Sequence, residues 1–231
     1  ETGPLEAVIL HRPGPEVENM TPANAERALY SDILNLSVAS QEYEQLKGVL
    51  DTVSQTFEVR DLLTGILDLP EVREDLVKRI CCNEEVCPAA ETLLRLPAPQ
   101  LAGQLIEGVP LVQDNLTRFL SQERYLLRPL HNLFFTRDIA IAVNDKVMSG
   151  RMANRVRERE SLIMEAIFTH HPLFGISPWN STTAEMLALP KGVATMEGGD
   201  FLVARNDVFV IGTGSRTSTQ GIDFFLERIC Q

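Results

Sequence analysis

His131-Asn132-Leu133-Phe134-Phe135-Thr136-Arg137-Asp138-Ile139-Ala140-Ile141-Ala142-Val143 is the stretch on which the fold turns. From Phe134 to Val143 its aromatic and β-branched residues predict a strand, closed by a turn at Asn144-Asp145 before Lys146 to Met148 resumes the pattern. A carboxylate inside such a run needs a reason, and Asp138 stands there. Helical spacing of Leu162, Ile163, Ala166 and Ile167 then predicts a helix from about Val156 to Phe168. Phe201 to Ile211 repeats the theme as a hairpin around Arg205-Asn206-Asp207, with a last helix from near Thr217. The two stretches read as repeats of one ββα unit.

Upstream, Leu5 to Leu10 reads as a short buried strand between Gly3-Pro4 and Pro13-Gly14. Tyr43, Leu46, Val49, Leu50 and Val53 fall on one helical face, and Phe57 to Val59 looks extended, which makes a strand-helix-strand unit. From about Leu62 to Leu120 short amphipathic pieces such as Val72, Leu76, Val77 and Ile80 are punctuated by Pro70, Pro88, Pro97, Pro99 and Pro110. The expected division is therefore a first unit over 1–61, a helical subdomain over 62–127, and further α/β units over 128–231.

A formal net charge of -11, with no concentration of Lys and Arg, argues against nucleic acid as a partner, because a phosphate backbone would be repelled over most of the surface. Apolar runs such as Ala7 to Leu10 and Ile139 to Val143 fall well short of the roughly 18 residues that a membrane span requires. The N-terminus shows no basic-then-apolar signal, so a cytoplasmic protein is expected. Four cysteines are too few for a disulfide scaffold. Cys81, Cys82 and Cys87 follow no zinc-ligand spacing and have no nearby His, so they read as reduced thiols, and Cys230 reads as packing on the last helix. Neither metal nor cofactor is expected.

Glu197-Gly198-Gly199-Asp200 places two more carboxylates in strand or tight-turn context. A guanidinium is a rigid planar fork of N–H donors that fixed carboxylates match by paired, charge-assisted hydrogen bonds. A cationic, planar ligand would explain Asp138 and Glu197. The bland readings are a pairing of Asp138 with a neighbouring Arg and a capping role for Glu197. Gly198 and Gly199 suggest a backbone conformation closed to other residues and a close approach to ligand, or simply a tight turn. Asp200 suits either a turn or support of Glu197.

His11-Arg-Pro-Gly14 with Met20-Thr-Pro22, the 132–138 segment, Arg157-Glu-Arg-Glu160, Glu197 to Asp200 and Ile211-Gly-Thr-Gly-Ser-Arg216-Thr-Ser218 resemble, in order and spacing, the arginine deiminase family. Amidinotransferases and dimethylarginine hydrolases share the Glu-Gly-Gly-Asp signal but generally lack the helical insert. The resemblance corresponds to the front part of a family member. It implies an α/β fold, part of a five-bladed propeller of ββαβ units with inserted helices, whose open ring would expose apolar faces.

The resemblance also implies a substrate, L-arginine, and roles for particular residues. Asp138 would grip the guanidinium nitrogens, and Glu197 would orient a general-base histidine. Arg157 and Arg216 would bind the substrate carboxylate, Asn132 would be their amide partner, and the backbone carbonyl of Leu29 would receive the amino group. For Arg157 the bland reading is an exposed, salt-bridged helix. His11 reads as structural, and His131 stands where family members often have proline, at the expected entrance. The family's nucleophilic cysteine and His-x-Asp motif have no match here, because none of His11, His131, His170 or His171 is followed by x-Asp. They are expected beyond Gln231, in the rest of the same protein. A non-catalytic arginine-binding module, or assembly with a second chain, is the alternative.

Overall fold

The computed structural model describes residues 3–21, 25–120, 123–143, 146–176, 178, 193–205 and 207–229, apart from the side chains of 228 and 229. The expected turn at Asn144-Asp145, the tip residue Asn206 and Cys230 lie outside them. The architecture is mixed α/β with two-stranded sheets.

Strands β1 (Ala7–Leu10) and β2 (Gln55–Glu58) pair in parallel, Ala7 opposite Gln55 and Leu10 opposite Glu58. Parallel neighbours need a long crossover, and the helix Leu36–Leu50 supplies it, begun by the Asn35 side chain accepting from the Val38 N–H at 3.2 Å. The predicted apolar face of that helix is corrected in part. Tyr43 is buried, whereas Leu46, Val49 and Val53 are exposed, and Val53 lies past the helix end. The extended segment expected to reach Val59 stops at Glu58, and Val59, fully buried, opens the next helix.

The helices Val59–Leu67, Pro70–Asn83 and Ala98–Glu107 pack with Glu158–His170 around one core. Pro70 sits in the first turn of its helix, where a missing N–H costs nothing. Leu63, Ile66, Leu67, Leu76, Ile80, Leu101, Leu105, Ile106 and Ile163 are essentially inaccessible. Each such side chain stabilises the fold by roughly 1.5–3 kcal/mol relative to exposure. The core runs from Val59 to Phe168 without a break, so the helical segment and the long helix after it share an interior.

Strands β3 (Val109–Pro110) and β4 (Tyr125–Leu127) form a short antiparallel pair. Antiparallel β5 (Ala140–Val143) and β6 (Lys146–Ser149) lead through a 3₁₀ turn, Arg155–Arg157, into the helix Glu158–His170. Antiparallel β7 (Phe201–Arg205) and β8 (Val208–Ile211) lead into the helix Thr219–Ile229. The ββα order thus occurs twice, as the sequence predicts. Ile141, Val143, Met148, Met196, Phe201, Val203 and Phe225 join the two hairpins in a second core, with Phe201 and Phe225 edge-to-face at 4.9 Å.

One prediction at the centre of the chain fails. Residues 131–134 are a turn, Thr136–Ile139 is a single helical turn, and the strand begins only at Ala140. Side-chain anchors override the strand propensity. Thr136 Oγ1 donates to the Ile9 carbonyl at 2.9 Å, and Arg137 donates to the Gly198 and Phe201 carbonyls at 3.2 and 2.6 Å. Asp138 therefore projects from a helical turn and not from a strand. Among the described residues, no helix is long and apolar enough to cross a membrane.

Candidate functional site

The helical turn at Thr136–Ile139 aims Asp138 at the 3₁₀ turn that opens the helix Glu158–His170. Arg157 Nη1 donates to Asp138 Oδ2 at 2.7 Å, and Arg157 Nε donates to Glu160 Oε2 at 2.9 Å. Arg157 is 1% exposed, so the bland alternative of an exposed, salt-bridged position does not hold for it. Its Nη2 also faces the carbonyls of Asn132 and Phe135, each at 3.4 Å. The bland pairing of Asp138 with an arginine is realised, and that arginine is itself a candidate site residue.

Glu197 joins the same network from the segment that leads, through the 3₁₀ turn Gly198–Asp200, into β7. Its Oε2 accepts from Arg216 Nη1 at 3.2 Å and lies 3.8 Å from Arg157 Nη1, while Oε1 accepts from the Ala153 N–H at 3.1 Å. The backbone on both sides is tied down, with the Glu197 N–H donating to Thr217 Oγ1 and the Arg151–Met196 bridge alongside. Glu197 is nearly inaccessible, Asp138 partly exposed, and Arg216 about half exposed. Ser218 caps the last helix, its Oγ accepting from the Gly221 N–H. Two carboxylates and two guanidiniums from separate parts of the sequence thus meet in one place.

Gly198 is required by proximity to backbone, and Gly199 stands close against the Asp138 carboxylate. Their φ angles lie outside the left-handed region, contrary to the expectation of a special conformation. A Cβ at Gly198 would stand 1.9 Å from the Arg137 carbonyl oxygen, and one at Gly199 would stand 2.6 Å from Asp138 Oδ1. The glycines let the two halves of the site close on each other. The Asp200 carbonyl accepts from the Gly212 N–H at 2.8 Å, and its carboxylate lies close to Gly212, 3.6 Å from where a Cβ there would stand.

Asn132 is buried and its Nδ2 donates to the Ala28 carbonyl at 2.9 Å, while Tyr30 Oη donates to the His131 carbonyl at 3.0 Å. Both bonds hold the loop that carries Leu29, which has a φ of +70°, an uncommon backbone state for a γ-branched residue. His131 is buried against the Glu16 carbonyl, so it is wedged between segments instead of standing at an entrance. Burial holds its imidazole below the ordinary range. His11 pairs with buried Glu16 at 3.1 Å, consistent with a structural role.

Sequence reasoning missed Glu160. The signal was present, an acid three residues after Arg157 on a helix, but spacing cannot show that both are buried. Burial pushes the Glu160 carboxyl up to about 7 in spite of Arg157 beside it. For Arg157, burial alone would lower the pKa, but Glu160 and Asp138 together outweigh it and raise it. The Tyr30 phenol is raised by burial and then by Glu160. The arrangement can hold a guanidinium against carboxylates and leaves Arg216 able to reach an anion. Among the described residues, no group of three or more His, Cys, Asp or Glu is placed to hold a metal ion.

The family model described as arginine deiminase matches residues 26–231. An arginine deiminase of Borrelia garinii subsp. bavariensis is 29% identical to the chain, over 96% of the chain and 56% of the relative. One of Limosilactobacillus fermentum is 30% identical, over 96% and 57%, and one of Streptococcus pyogenes serotype M49 is 30% identical, over 99% and 59%. The chain spans a little over half the length of these curated relatives.

Proposed function

Because this chain belongs to the arginine deiminase family, we propose that it forms the substrate-gripping part of an enzyme that hydrolyses free L-arginine to L-citrulline and ammonia. The observation that carries this reading is the contact of Asp138, Arg157, Glu197 and Arg216 in one network. Asp138 takes the guanidinium head through charge-assisted hydrogen bonds, as it already takes that of Arg157. Arg157 and Arg216 take the α-carboxylate at the other end. Asn132 holds the loop that offers the Leu29 carbonyl to the amino group. Asp200 and the two glycines support the closure around Asp138 and Glu197.

The chemistry needs a nucleophile and a proton carrier supplied from outside these 231 residues. A cysteine thiolate attacks the guanidinium carbon, and a histidine oriented by Glu197 protonates the departing ammonia. Water then cleaves the carbon–sulfur bond of the thiouronium, giving citrulline and regenerating the thiolate. On this reading Arg157 Nη1 exchanges Asp138 for the substrate carboxylate, so substrate displaces an internal guanidinium with its own. The two hairpin-helix units and the β1–β2 pair are read as parts of a five-bladed ring. Exposure of Leu202 and Val210 on the β7–β8 hairpin agrees with an unfinished ring.

The test is citrulline release from free arginine by the protein at its natural length, with Asp138→Ala as comparison. Turnover that survives Asp138→Ala would remove the basis of the assignment.

A further inference from the structure

A cavity of about 320 Å³ has walls that include Arg27, Arg128, Arg155, Arg159, Glu84 and Glu85, and neither Asp138 nor Arg157 lines it. Arg155 is paired with Glu85 at 2.8 Å, while Arg128 and Arg27 share Glu123 at 2.8 and 3.4 Å. Arg159 stands beside Glu84, 3.6 Å from its Nε and too far for a hydrogen bond, with the buried Glu160 also near. Four guanidiniums therefore gather at one cavity, with Glu84, Glu85 and Glu123 as ion-pair partners and Glu158 and Glu160 acting on Arg155 and Arg159 from nearby, in a chain whose overall charge is -11.

Arg159 is also the unusual member of the set. It is 1% exposed, its Nη2 donates to the Arg128 carbonyl, and its Nε and Nη1 have no hydrogen-bond partner. A buried guanidinium with two free N–H groups is costly unless an acceptor meets them. The neutral wall makes no competing claim, since burial keeps the His131 ring below its ordinary pKa. Burial pushes Arg159 downward in spite of Glu84 and Glu160, which act the other way, and an incoming negative charge would add to their effect.

We propose that this cavity is a binding site for a small oxyanion, a phosphate group or a compact carboxylate, received by the fork of Arg159 and flanked by Arg128 and Arg155. An oxyanion offers several acceptors in a tight group, the complement of a planar fork. The site is distinct from the Asp138 network, because Asp138, Arg157, Glu197 and Arg216 do not line the cavity.

The experiment is calorimetry on the protein at its natural length, titrated with inorganic phosphate and separately with citrate at matched ionic strength. The variants are Arg159→Lys, Arg128→Gln and Arg216→Gln. One anion, or both, should bind saturably, and which one binds identifies the source. Binding should weaken about tenfold or more in Arg159→Lys and in Arg128→Gln, and should persist in Arg216→Gln. If Arg159→Lys does not fold, Arg128→Gln on the half-exposed wall decides. The proposal is overturned if neither anion saturates, or if Arg216→Gln abolishes binding that Arg128→Gln leaves intact.

Discussion

Arg157 and Asp138, nineteen positions apart, meet at 2.7 Å, and the same guanidinium holds the buried Glu160 at 2.9 Å. One arginine thus links a partly exposed carboxylate to a sealed one, and the consequences of removing it differ from those of removing either acid.

Arg157→Ala strands Glu160 in the interior and should destabilise the fold by about 3–5 kcal/mol, the usual consequence of breaking a buried pair from one side. Asp138→Asn removes a partner that reaches solvent and should cost at most about 2 kcal/mol. Urea unfolding of the two variants reads the difference. Equal losses would show that Glu160 does not depend on Arg157.

Glu160 predicts a pH signature. Its folded pKa, about 7, lies above the ordinary 4.5, so between those values the folded state binds more protons than the unfolded state. This group's contribution is fully present below about 4.5, declines as pH rises, and is lost above about 7. In Glu160→Gln, the melting temperature should therefore change less negatively, or more positively, with rising pH across that window. Parallel curves for the two proteins would disprove the shift.

Glycine tolerance should divide sharply by position. Gly198→Ala meets the Arg137 carbonyl and should destabilise by about 3 kcal/mol or more, as overpacking does when backbone must move. Gly48→Ala, inside the helix Leu36–Leu50 with nothing within 4 Å, should stabilise by roughly 0.5–1 kcal/mol. Thermal unfolding checks both, and a benign Gly198→Ala would contradict the close approach.

The three neighbouring thiols should react unequally. Burial pushes Cys81 up to about 11, whereas Cys82 and Cys87 are exposed. Iodoacetamide near neutral pH should label Cys82 and Cys87 and spare Cys81 until the protein unfolds, as peptide mapping by mass spectrometry would show. Early labelling of Cys81 would mean that the helix Pro70–Asn83 opens readily.

The amino-acid sequence by itself determined a first strand ending at Leu10, although that strand starts at Ala7 instead of Leu5 and is not buried, together with the hairpin over 201–211, the repeated ββα order, the helical segment after Leu62 and the residue types suited to a guanidinium. These depend on local periodicity and on chemistry that each residue carries wherever it lies. Only the tertiary structure decided that Thr136–Ile139 turns helically, that Arg157 is sealed from water, and that Glu160 is its second partner. The reason is range: the anchors of Thr136 and Arg137 reach residues 127 and 61 positions away, and no window of sequence contains both ends of such a bond. Burial and electrostatic pairing exist only after distant segments pack.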